Sequence, residues 1–448
     1  MAGHGCHQSP AGTELQGPKH VMHKLFHGVS KKLPRSIFPF SLALATALVV
    51  ATFAGDACAQ SYSVIHNFTG GSDGGMPLAG LTIDSVGNLY GTANLGGHTG
   101  ENCGSGGCGV VYRLTQRNSS WVLAPLYSFS GGNDGMNPRM ANVALGTNGS
   151  VYSSTYYGGG ACTDDPRGCG TVFKLQPPAS ACHTALCPWR ETILHSFNGA
   201  DGSGPVGALI FDEQGNLDGV TNTGGLRNGG TVFELDAGSD YSEMILFHPY
   251  GYPGSALKSH AGNLFGSTFI GMQSPGTIYE LTLTGGNWIG TDIYDFTNGA
   301  DGGYPQAGVI FDQAGNLYGA TTTGGSGLGG TVFELTPSNG AWTFNLLFSF
   351  AAPPNGHFVN GPVGSLAFDA LGNLYGTTVV DGAHGFGAVF KLSPSAGGWS
   401  YTSLHDFTGG SDGAYPYSNL VFDASGNIYG TASAGGEHGA GVVFEITP

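Results

Sequence analysis

Short apolar runs and turn signals alternate along most of the chain. In the clearest stretch, an apolar run ends in a turn where Asp312 can form an Asx turn and Gly315 can adopt a positive φ. The segments that follow alternate apolar and polar positions with a period of two, the spacing of a half-buried β-strand. The pattern predicts four short strands, at Val309–Phe311, Leu317–Thr321, Thr331–Leu335 and Trp342–Phe350.

This four-stranded unit is repeated along the chain. The turn glycine recurs seven times at intervals of 47 to 66 residues, at Gly87, Gly149, Gly215, Gly262, Gly315, Gly372 and Gly426. The last unit stops after its third strand, Val442–Ile446, and the strand that it lacks is found at Tyr62–Phe68, which matches Thr402–Phe407. We therefore predict an all-β, seven-bladed β-propeller with four-stranded blades, closed by the N-terminal strand completing the last blade.

The tryptophans follow the same repeat. All five lie eight residues before a phenylalanine in the fourth strand. The even spacing predicts that Trp and Phe share one face of that strand. An aromatic position of this regularity can stack sugars or pack neighbouring units together. We favour packing, because every unit needs a core.

Residues 1–59 differ in composition from the repeats. Four basic residues precede an uncharged apolar run from Phe40 to Ala54, and Ala57-Cys58-Ala59 matches the A-x-A pattern of a signal-peptidase site. The run is shorter than the roughly 20 residues that a transmembrane helix needs. We predict a signal peptide at 1–59, with Met22 as an alternative start, and the propeller at 60–448. The protein is then secreted or periplasmic, without a membrane span once the leader is removed.

The amino-acid composition limits the kinds of molecule that the protein can bind. Of 448 residues, 81 are Gly and only 10% are charged, with a net charge of −16. This balance excludes nucleic acid, which needs a basic footprint. Six cysteines follow the leader as three local pairs: Cys103 and Cys108, Cys162 and Cys169, Cys182 and Cys187. Three hairpin disulfides are the simplest of the 15 connectivities that six cysteines allow, and the spacing does not fit zinc-finger ligands.

The repeat motifs resemble a known family. GNLYG at 87–91, 315–319 and 372–376, followed by GG and by GTVFEL at 230–235 and 330–335, is similar to the GloVer repeat. That repeat defines secreted bacterial choice-of-anchor tandem repeat proteins, and the resemblance covers nearly all of 61–448. It implies export and a propeller-like repeat domain, and it brings no catalytic residues. The chain ends on the repeat, without the family's usual C-terminal sorting segment, so surface attachment is not implied.

The segments that lead into each unit, here called incoming loops, carry a second motif, D-G-x-x-P. Its aspartates are Asp73, Asp134, Asp201, Asp301 and Asp412. They are candidates for holding sugar hydroxyls or a cation at the channel mouth, but the motif is also that of a capped turn. We favour the capped turn, because the motif repeats with the architecture. Two incoming segments depart from it, Tyr250–Gly266 and Pro353–Phe358, and a ligand approaching asymmetrically could use that side.

Residues that break the repeat are better ligand candidates, because the architecture does not require them. On the same face, the loops between second and third strands carry His98, Tyr156, Tyr157, Arg227, His384 and His438. Histidines from three units could hold a metal, although scattered loop histidines are more often solvated, and we expect no metal or other cofactor. His66, His195 and His405 stand where other units have Tyr or Phe, so we expect the apolar body of the ring to matter there.

The sequence contains no nucleophile elbow, HExxH motif or Walker loop. A carboxylate pair for glycoside chemistry could still come from two different blades. We therefore expect a secreted, non-catalytic binding module whose ligand, a polysaccharide or an extracellular protein, sits across the channel mouth. The alternatives are a secreted polysaccharide hydrolase or lyase that uses aspartates of the same face, and a structural protein of the cell envelope.

Overall fold

Seven antiparallel sheets make up the part of the chain that the computed structural model describes, which is residues 60–163, 165–178, 188–271, 273–352 and 361–448. Six sheets each come from one continuous stretch of the sequence and are called blades 1 to 6 in chain order; blade 7 combines both ends of the described chain. Two predicted features lie outside the described residues, the leader at 1–59 and the incoming segment Pro353–Phe358. A third, the last cysteine pair, is treated with the disulfides below.

The strands are numbered in chain order, beginning with β1 (Ser61–Asn67). Blade 1 contains β2 (Thr82–Ile83), β3 (Leu89–Ala93), β4 (Val110–Arg117) and β5 (Ser120–Ser128). Blade 2 contains β6 (Ala144–Leu145), β7 (Val151–Thr155), β8 (Thr171–Gln176) and β9 (Arg190–Ser196). Blade 3 contains β10 (Ser203–Phe211), β11 (Leu217–Thr223), β12 (Thr231–Asp236) and β13 (Ser242–Phe247), with 3₁₀ turns at Leu226–Asn228 and Ala237–Ser239.

Blade 4 has a fifth short strand. It contains β14 (Gly251–Pro253), β15 (Lys258–His260), β16 (Asn263–Gly271), β17 (Thr277–Thr284) and β18 (Asn287–Asp295). Blade 5 contains β19 (Ile310–Phe311), β20 (Leu317–Thr321), β21 (Leu328–Ser338) and β22 (Ala341–Ala351). Blade 6 contains β23 (Ala367–Phe368), β24 (Leu374–Thr378), β25 (Ala388–Ser395) and β26 (Gly398–Asp406). Blade 7 contains β27 (Val421–Phe422), β28 (Ile428–Ala432), β29 (Val442–Thr447) and β1.

The ring is closed by its first and last strands, as predicted. β1 pairs antiparallel with β29, from Ser61 opposite Thr447 to Asn67 opposite Val442. The sheet order is β1-β29-β28-β27, so the N-terminal strand occupies the place of a fourth strand in blade 7. Closure leaves no unpaired edge between the first and last blades. The seven-bladed propeller with four-stranded blades is therefore confirmed.

The second strand of each blade lies in the interior. In β20 every residue is buried, and the same is true of β3, β7, β24 and β28. Gly319 at the centre of β20 makes this packing fit, because a Cβ there would collide with the ring of Phe333 on β21. The glycine of the GNLYG motif thus gives the aromatic side chain of the third strand room to cross the sheet.

A β-bulge interrupts the fourth strand of every blade. In β5, Tyr127 pairs with Val111 and Pro125 with Tyr112, which leaves Leu126 as the extra residue. A shift of one residue moves all later side chains to the other face of a strand. The prediction that Trp and Phe share a face is therefore wrong, because the bulge lies between them.

The two aromatic positions instead point to opposite neighbours. The ring of Trp121 in blade 1 lies 5.6 Å from Tyr429 in blade 7, whereas Phe129 lies 5.2 Å from Phe173 in blade 2. Trp399 in blade 6 likewise contacts Tyr318 in blade 5. Edge-on aromatic contacts of this kind join each blade to the blade before it and the blade after it. The prediction that the repeated aromatics pack neighbouring units together is confirmed.

Two of the three predicted disulfides lie in the described chain. Cys103–Cys108 and Cys162–Cys169 each close a short segment between the second and third strands of a blade, with Cα–Cα distances of 4.9 and 5.3 Å. Disulfides persist in oxidising compartments, so they indicate a protein that works outside the cytoplasm. Among the described residues, no helix has the length and apolar character needed to cross a bilayer.

The third predicted disulfide joins Cys182 and Cys187. Both Cys182 and Cys187 belong to the stretch 179–187, which is outside the described residues. The disulfide between Cys182 and Cys187 therefore stays a prediction.

Candidate functional site

The aspartates of the incoming loops cap turns. Asp301 accepts hydrogen bonds from the backbone N–H of Thr297 at 2.9 Å, from the Thr297 hydroxyl and from the Tyr294 hydroxyl at 3.2 Å. The other four capping aspartates make the same kind of contact with the residue three or four positions earlier: Asp73, Asp134, Asp201 and Asp412. No described hydrogen bond links one of these carboxylates to another.

The ring at the end of each fourth strand matches the loop that follows it. Where the loop has its aspartate, the ring is His or Tyr and its polar atom lies 3.1 to 3.2 Å from that carboxylate, at His66, Tyr127, His195, Tyr294 and His405. Where the sequence lacks the aspartate, the position holds Phe247 or Phe348. The apolar body of the ring is thus only part of its role, because its polar tip also anchors the aspartate.

The same ring packs against the next blade. Tyr294 stacks on Phe344 at 4.8 Å and His405 stacks on Tyr62 at 3.6 Å. Between blades 1 and 2 the facing residue is Glu191, which accepts a hydrogen bond of 2.8 Å from the Tyr127 hydroxyl. Burial raises the pKa of Glu191 to about 7, although the Tyr127 hydrogen bond acts in the opposite direction.

Between blades 2 and 3 the facing residue is also an acid. His195 Nε2 lies 3.2 Å from Asp201 Oδ2 and 3.6 Å from Glu243 Oε2. Burial raises the pKa of Glu243 to about 7. The charge of Asp201 adds to that rise, whereas the charge of His195 opposes it. In the part of the chain that the structure describes, these three side chains form the one group of three whose arrangement suits a metal ion.

The other candidate residues lie on the loops between second and third strands. His98, His384 and His438 are exposed and do not belong to that group of three. The Arg167 guanidinium lies 3.7 Å above the Tyr157 ring, and Arg227 lies 5.0 Å from the Tyr250 ring. Arg227 and Tyr250 border a cavity of about 260 Å³ on the side of blade 4, where the incoming segment lacks its aspartate. The candidate ligand-binding residues therefore lie on different blades and do not form a single site.

The central channel is narrow at its waist. Two or three residues from the first strand region of each blade line it, among them Gly80, Asn142, Ser365 and Asn419, and the remaining cavity is about 50 Å³. The Asn142 amide donates to Asn419 Oδ1 at 2.5 Å and accepts from the Gly80 N–H at 2.8 Å. A Cβ at Gly80 would collide with Asn419, so the glycine makes room for this amide pair.

A larger cavity of about 160 Å³ opens beside this waist, on the face that carries the incoming loops. It is lined by Arg139, Met140, Tyr156, Val206, Asn222, Gly254, Phe269 and Gln306. The Arg139 guanidinium lies 5.6 Å from the Tyr156 ring, and Phe269 contacts Tyr304 at 5.3 Å. We call this the mouth pocket.

An apolar cluster continues around the mouth. Val363, Val379 and Val380 are buried there, and Met140, Tyr415 and Tyr417 pack against them. Arg139 lowers the pKa of Tyr417, although burial is the larger effect and raises it. The mouth therefore combines aromatic rings, aliphatic side chains and one guanidinium.

Tyr156 is the one candidate from the sequence that the structure places in the mouth pocket. Arg139 was missed, although the sequence carries a signal for it. Eight positions separate Pro138 from the turn residue Gly146, whereas seven separate Pro77 from Asp84. The additional residue places Arg139 on the rim of the pocket, where it is exposed.

A search of curated proteins found no match to this chain. The family model described as the Gloeobacter/Verrucomicrobia repeat matches twice, at residues 50–252 and 248–444. Together the two matches include all seven blades, from the N-terminal strand that closes the ring to the third strand of blade 7. The chain is therefore a member of the Gloeobacter/Verrucomicrobia (GloVer) repeat family.

Proposed function

We propose that this protein is a secreted, non-catalytic binding module that holds a glycan chain in the mouth pocket. The observation that carries the proposal is the pocket itself, in which the Tyr156 and Phe269 rings face the same cavity as Arg139, Asn222 and Gln306. Aromatic rings offer flat apolar faces to the C–H groups of a sugar. The amides and the guanidinium offer hydrogen bonds to its hydroxyl groups.

The charge of the pocket narrows the ligand further. Arg139 is the one charged side chain among the described residues that line the mouth pocket, in a chain of net charge −16. A guanidinium binds carboxylates in a bidentate geometry. We therefore expect glycans that contain uronic acids to bind more tightly than their neutral counterparts.

The shape of the channel favours binding at the mouth over passage. At the waist the Asn142 side chain of blade 2 is hydrogen-bonded to Asn419 of blade 7, and the cavity left there is about 50 Å³. This cavity is smaller than the mouth pocket, which measures about 160 Å³. We therefore expect the glycan chain to end in the mouth pocket or to lie across it.

The contacts of the incoming-loop aspartates support binding over hydrolysis. Glycosidases place two carboxyl groups roughly 5 to 10 Å apart around the scissile bond. The five aspartates instead each cap a turn of their own loop, through hydrogen bonds such as the 2.9 Å bond from Thr408 N–H to Asp412. The mouth pocket itself is lined by no Asp or Glu among its described residues.

Glycan-array screening of the oxidised protein, followed by calorimetry on the best ligand, tests this proposal. Phe269→Ala and Arg139→Ala should each weaken binding about 5- to 30-fold, since a lost stacking or guanidinium contact is worth about 1 to 2 kcal/mol. Arg227→Ala is the matched control, because Arg227 also lies over a tyrosine ring but outside the mouth pocket.

Three results would contradict the proposal. Saturable binding that Arg227→Ala abolishes and Arg139→Ala leaves intact would place the ligand at blade 4. Release of reducing ends from a bound polysaccharide would indicate the hydrolase or lyase alternative. Capture of an extracellular protein, without binding to any glycan, would indicate a protein-binding or structural role.

A further inference from the structure

The group formed by His195, Asp201 and Glu243 has the dimensions of a metal site. The His195 Nε2 atom lies 3.2 Å from Asp201 Oδ2 and 3.6 Å from Glu243 Oε2, and the ligand atoms all lie within 4.8 Å of one another. In a tetrahedral zinc site with bonds of about 2.0 to 2.2 Å, neighbouring ligand atoms are roughly 3.3 to 3.6 Å apart. The three side chains therefore need little movement to bind one ion.

Glu243 supplies an independent observation that points to a ligand. Its side chain is 10% exposed, and its Oε1 atom is buried without a hydrogen-bond partner. A buried carboxylate oxygen without a partner is costly, and such atoms usually face a water or an ion. A cation between the two carboxylates and the imidazole would satisfy it.

Asp201 is held in place for this role. Its Oδ1 accepts a hydrogen bond of 2.9 Å from the Asn198 backbone N–H, and its Oδ2 accepts one of 2.8 Å from the Asn198 side chain. Partners of this kind orient metal-ligating carboxylates in known sites. The His195 ring is fixed as well, because it packs edge-on against Phe197 at 4.7 Å.

The repeat provides internal comparisons. His66 with Asp73 and His405 with Asp412 form the same pair at 3.1 Å. In the next blade, however, the position equivalent to Glu243 holds Leu123 for the first pair and Tyr62 for the second. Between blades 1 and 2 the acid is present as Glu191, but Tyr127 replaces the histidine and donates its hydroxyl proton to that acid. Among the described blade interfaces, only the one between blades 2 and 3 combines all three ligand types.

We propose that His195, Asp201 and Glu243 bind a divalent transition-metal ion between blades 2 and 3, with Zn²⁺ as the best match. An imidazole with two carboxylates is a ligand set that Zn²⁺ accepts, whereas Ca²⁺ and Mg²⁺ prefer oxygen ligands alone. The ion joins β9 and the incoming loop of blade 3 to β13. Its effect is to stabilise the contact between the two blades.

The test is a titration of the oxidised protein without its predicted leader, residues 60–448, with ZnCl₂ after removal of metal by EDTA. We expect one equivalent to bind, a rise in the thermal unfolding temperature, and a tetrahedral visible spectrum when Co²⁺ replaces Zn²⁺. His195→Phe and Glu243→Gln should each weaken binding at least about tenfold. His195→Phe is compatible with the fold because Phe247 and Phe348 occupy the same position in other blades.

His405→Phe is the matched control, since it removes the same type of His–Asp pair from an interface without the glutamate. It should leave the single equivalent of Zn²⁺ intact. Absence of Zn²⁺ binding by the unaltered protein would overturn the proposal. Binding that survives both His195→Phe and Glu243→Gln, with native near-ultraviolet dichroism in all variants, would also overturn it, because the ion would then sit on surface histidines.

Discussion

Asp218 is a single residue at odds with the repeat around it. It stands in the second strand of blade 3 where other blades have Tyr90, Tyr152, Tyr318, Tyr375 and Tyr429. The hydroxyl oxygen of Tyr318 lies 3.1 Å from Asp312 Oδ2 and 2.8 Å from Glu334 Oε1, so its single proton is donated to one of these two acids. Asp218 has no proton to donate when ionised, its Oδ1 is buried without a partner, and burial together with Glu234 raises its pKa to about 7.

We expect Asp218→Tyr to stabilise the protein at pH 7 by about 1 to 3 kcal/mol, because it replaces an unsatisfied buried acid with the donor that the repeat uses elsewhere. Chemical denaturation measures the change. Asp218→Asn is the control that removes the charge without introducing the tyrosine ring and hydroxyl, and its gain should be smaller. A Tyr variant less stable than the unaltered protein would show that Asp218 has a role the repeat does not explain.

Glu191 should make the stability of the protein depend on pH. Its pKa lies at about 7 in the folded state, against an ordinary value of 4.5, so the folded protein binds the proton more tightly than the unfolded chain. Stability from this group is fully present below about pH 4.5 and is lost as the pH rises through about 7.

Glu191→Gln should remove that dependence. After allowance for the partial exposure of the side chain, we expect the variant to gain about 1 to 2 kcal/mol on the unaltered protein at pH 8, and little at pH 4.5. Urea denaturation at both pH values provides the measurement. An equal change in stability at the two pH values would mean that protonation of Glu191 does not cause the pH dependence.

At the scale of the strand, the sequence predicted most of what is observed because seven copies can be aligned with one another. β20 has the predicted bounds, β19 begins one residue later than predicted, and β21 and β22 extend further at both ends. The extra length comes from pairing of Leu328 with Ala351 at one end and of Ser338 with Ala341 at the other, both outside the periodic core of the unit. Alternation alone gives no sign of such pairing.

The bulge was not predicted, although it occurs in every blade. Its extra residue is apolar, as in Leu126, Ile293 and Leu404, so it looks like an ordinary core position in an alternating strand. A bulge becomes visible only when the register with the neighbouring strand is known. The same limit explains why the facing pair of His195 and Glu243 was missed, because their separation along the chain says nothing about stacking between blades.

At the scale of the whole molecule, the mouth pocket could be predicted only in outline. Ring closure brings the incoming loops together, and this followed from the split repeat. Which side chains meet there depends on the exact number of residues in each incoming loop. The additional residue beside Arg139 is visible in the sequence, but it gives no sign that Phe269 and Tyr156 line the same cavity.

Ring closure can be tested with a cross-link between β1 and β29. Ser61 and Thr447 are exposed and face each other across the two strands. Ser61→Cys combined with Thr447→Cys should form a disulfide within one molecule and stabilise the fold by up to about 5 kcal/mol, because it closes a very long loop. Mass spectrometry and thermal unfolding with and without reductant measure both effects.

The two single-cysteine variants serve as controls and should unfold at the temperature of the unaltered protein. Disulfide-linked dimers in place of the internal bond would contradict the pairing of β1 with β29. So would an internal bond that leaves the unfolding temperature unchanged.

The pairing of β1 with β29 also bears on how the chain reaches its final form. β1 is among the first described segments to leave the ribosome, and β29 is the last strand to follow. Contacts between segments so far apart in sequence form slowly, because the cost of bringing them together is met before they contribute any stability. Until β29 arrives, the nascent chain carries an unpaired strand at each end, and unpaired strands promote aggregation. We therefore expect a premature stop before Val442 to yield insoluble protein, even though six complete blades precede it.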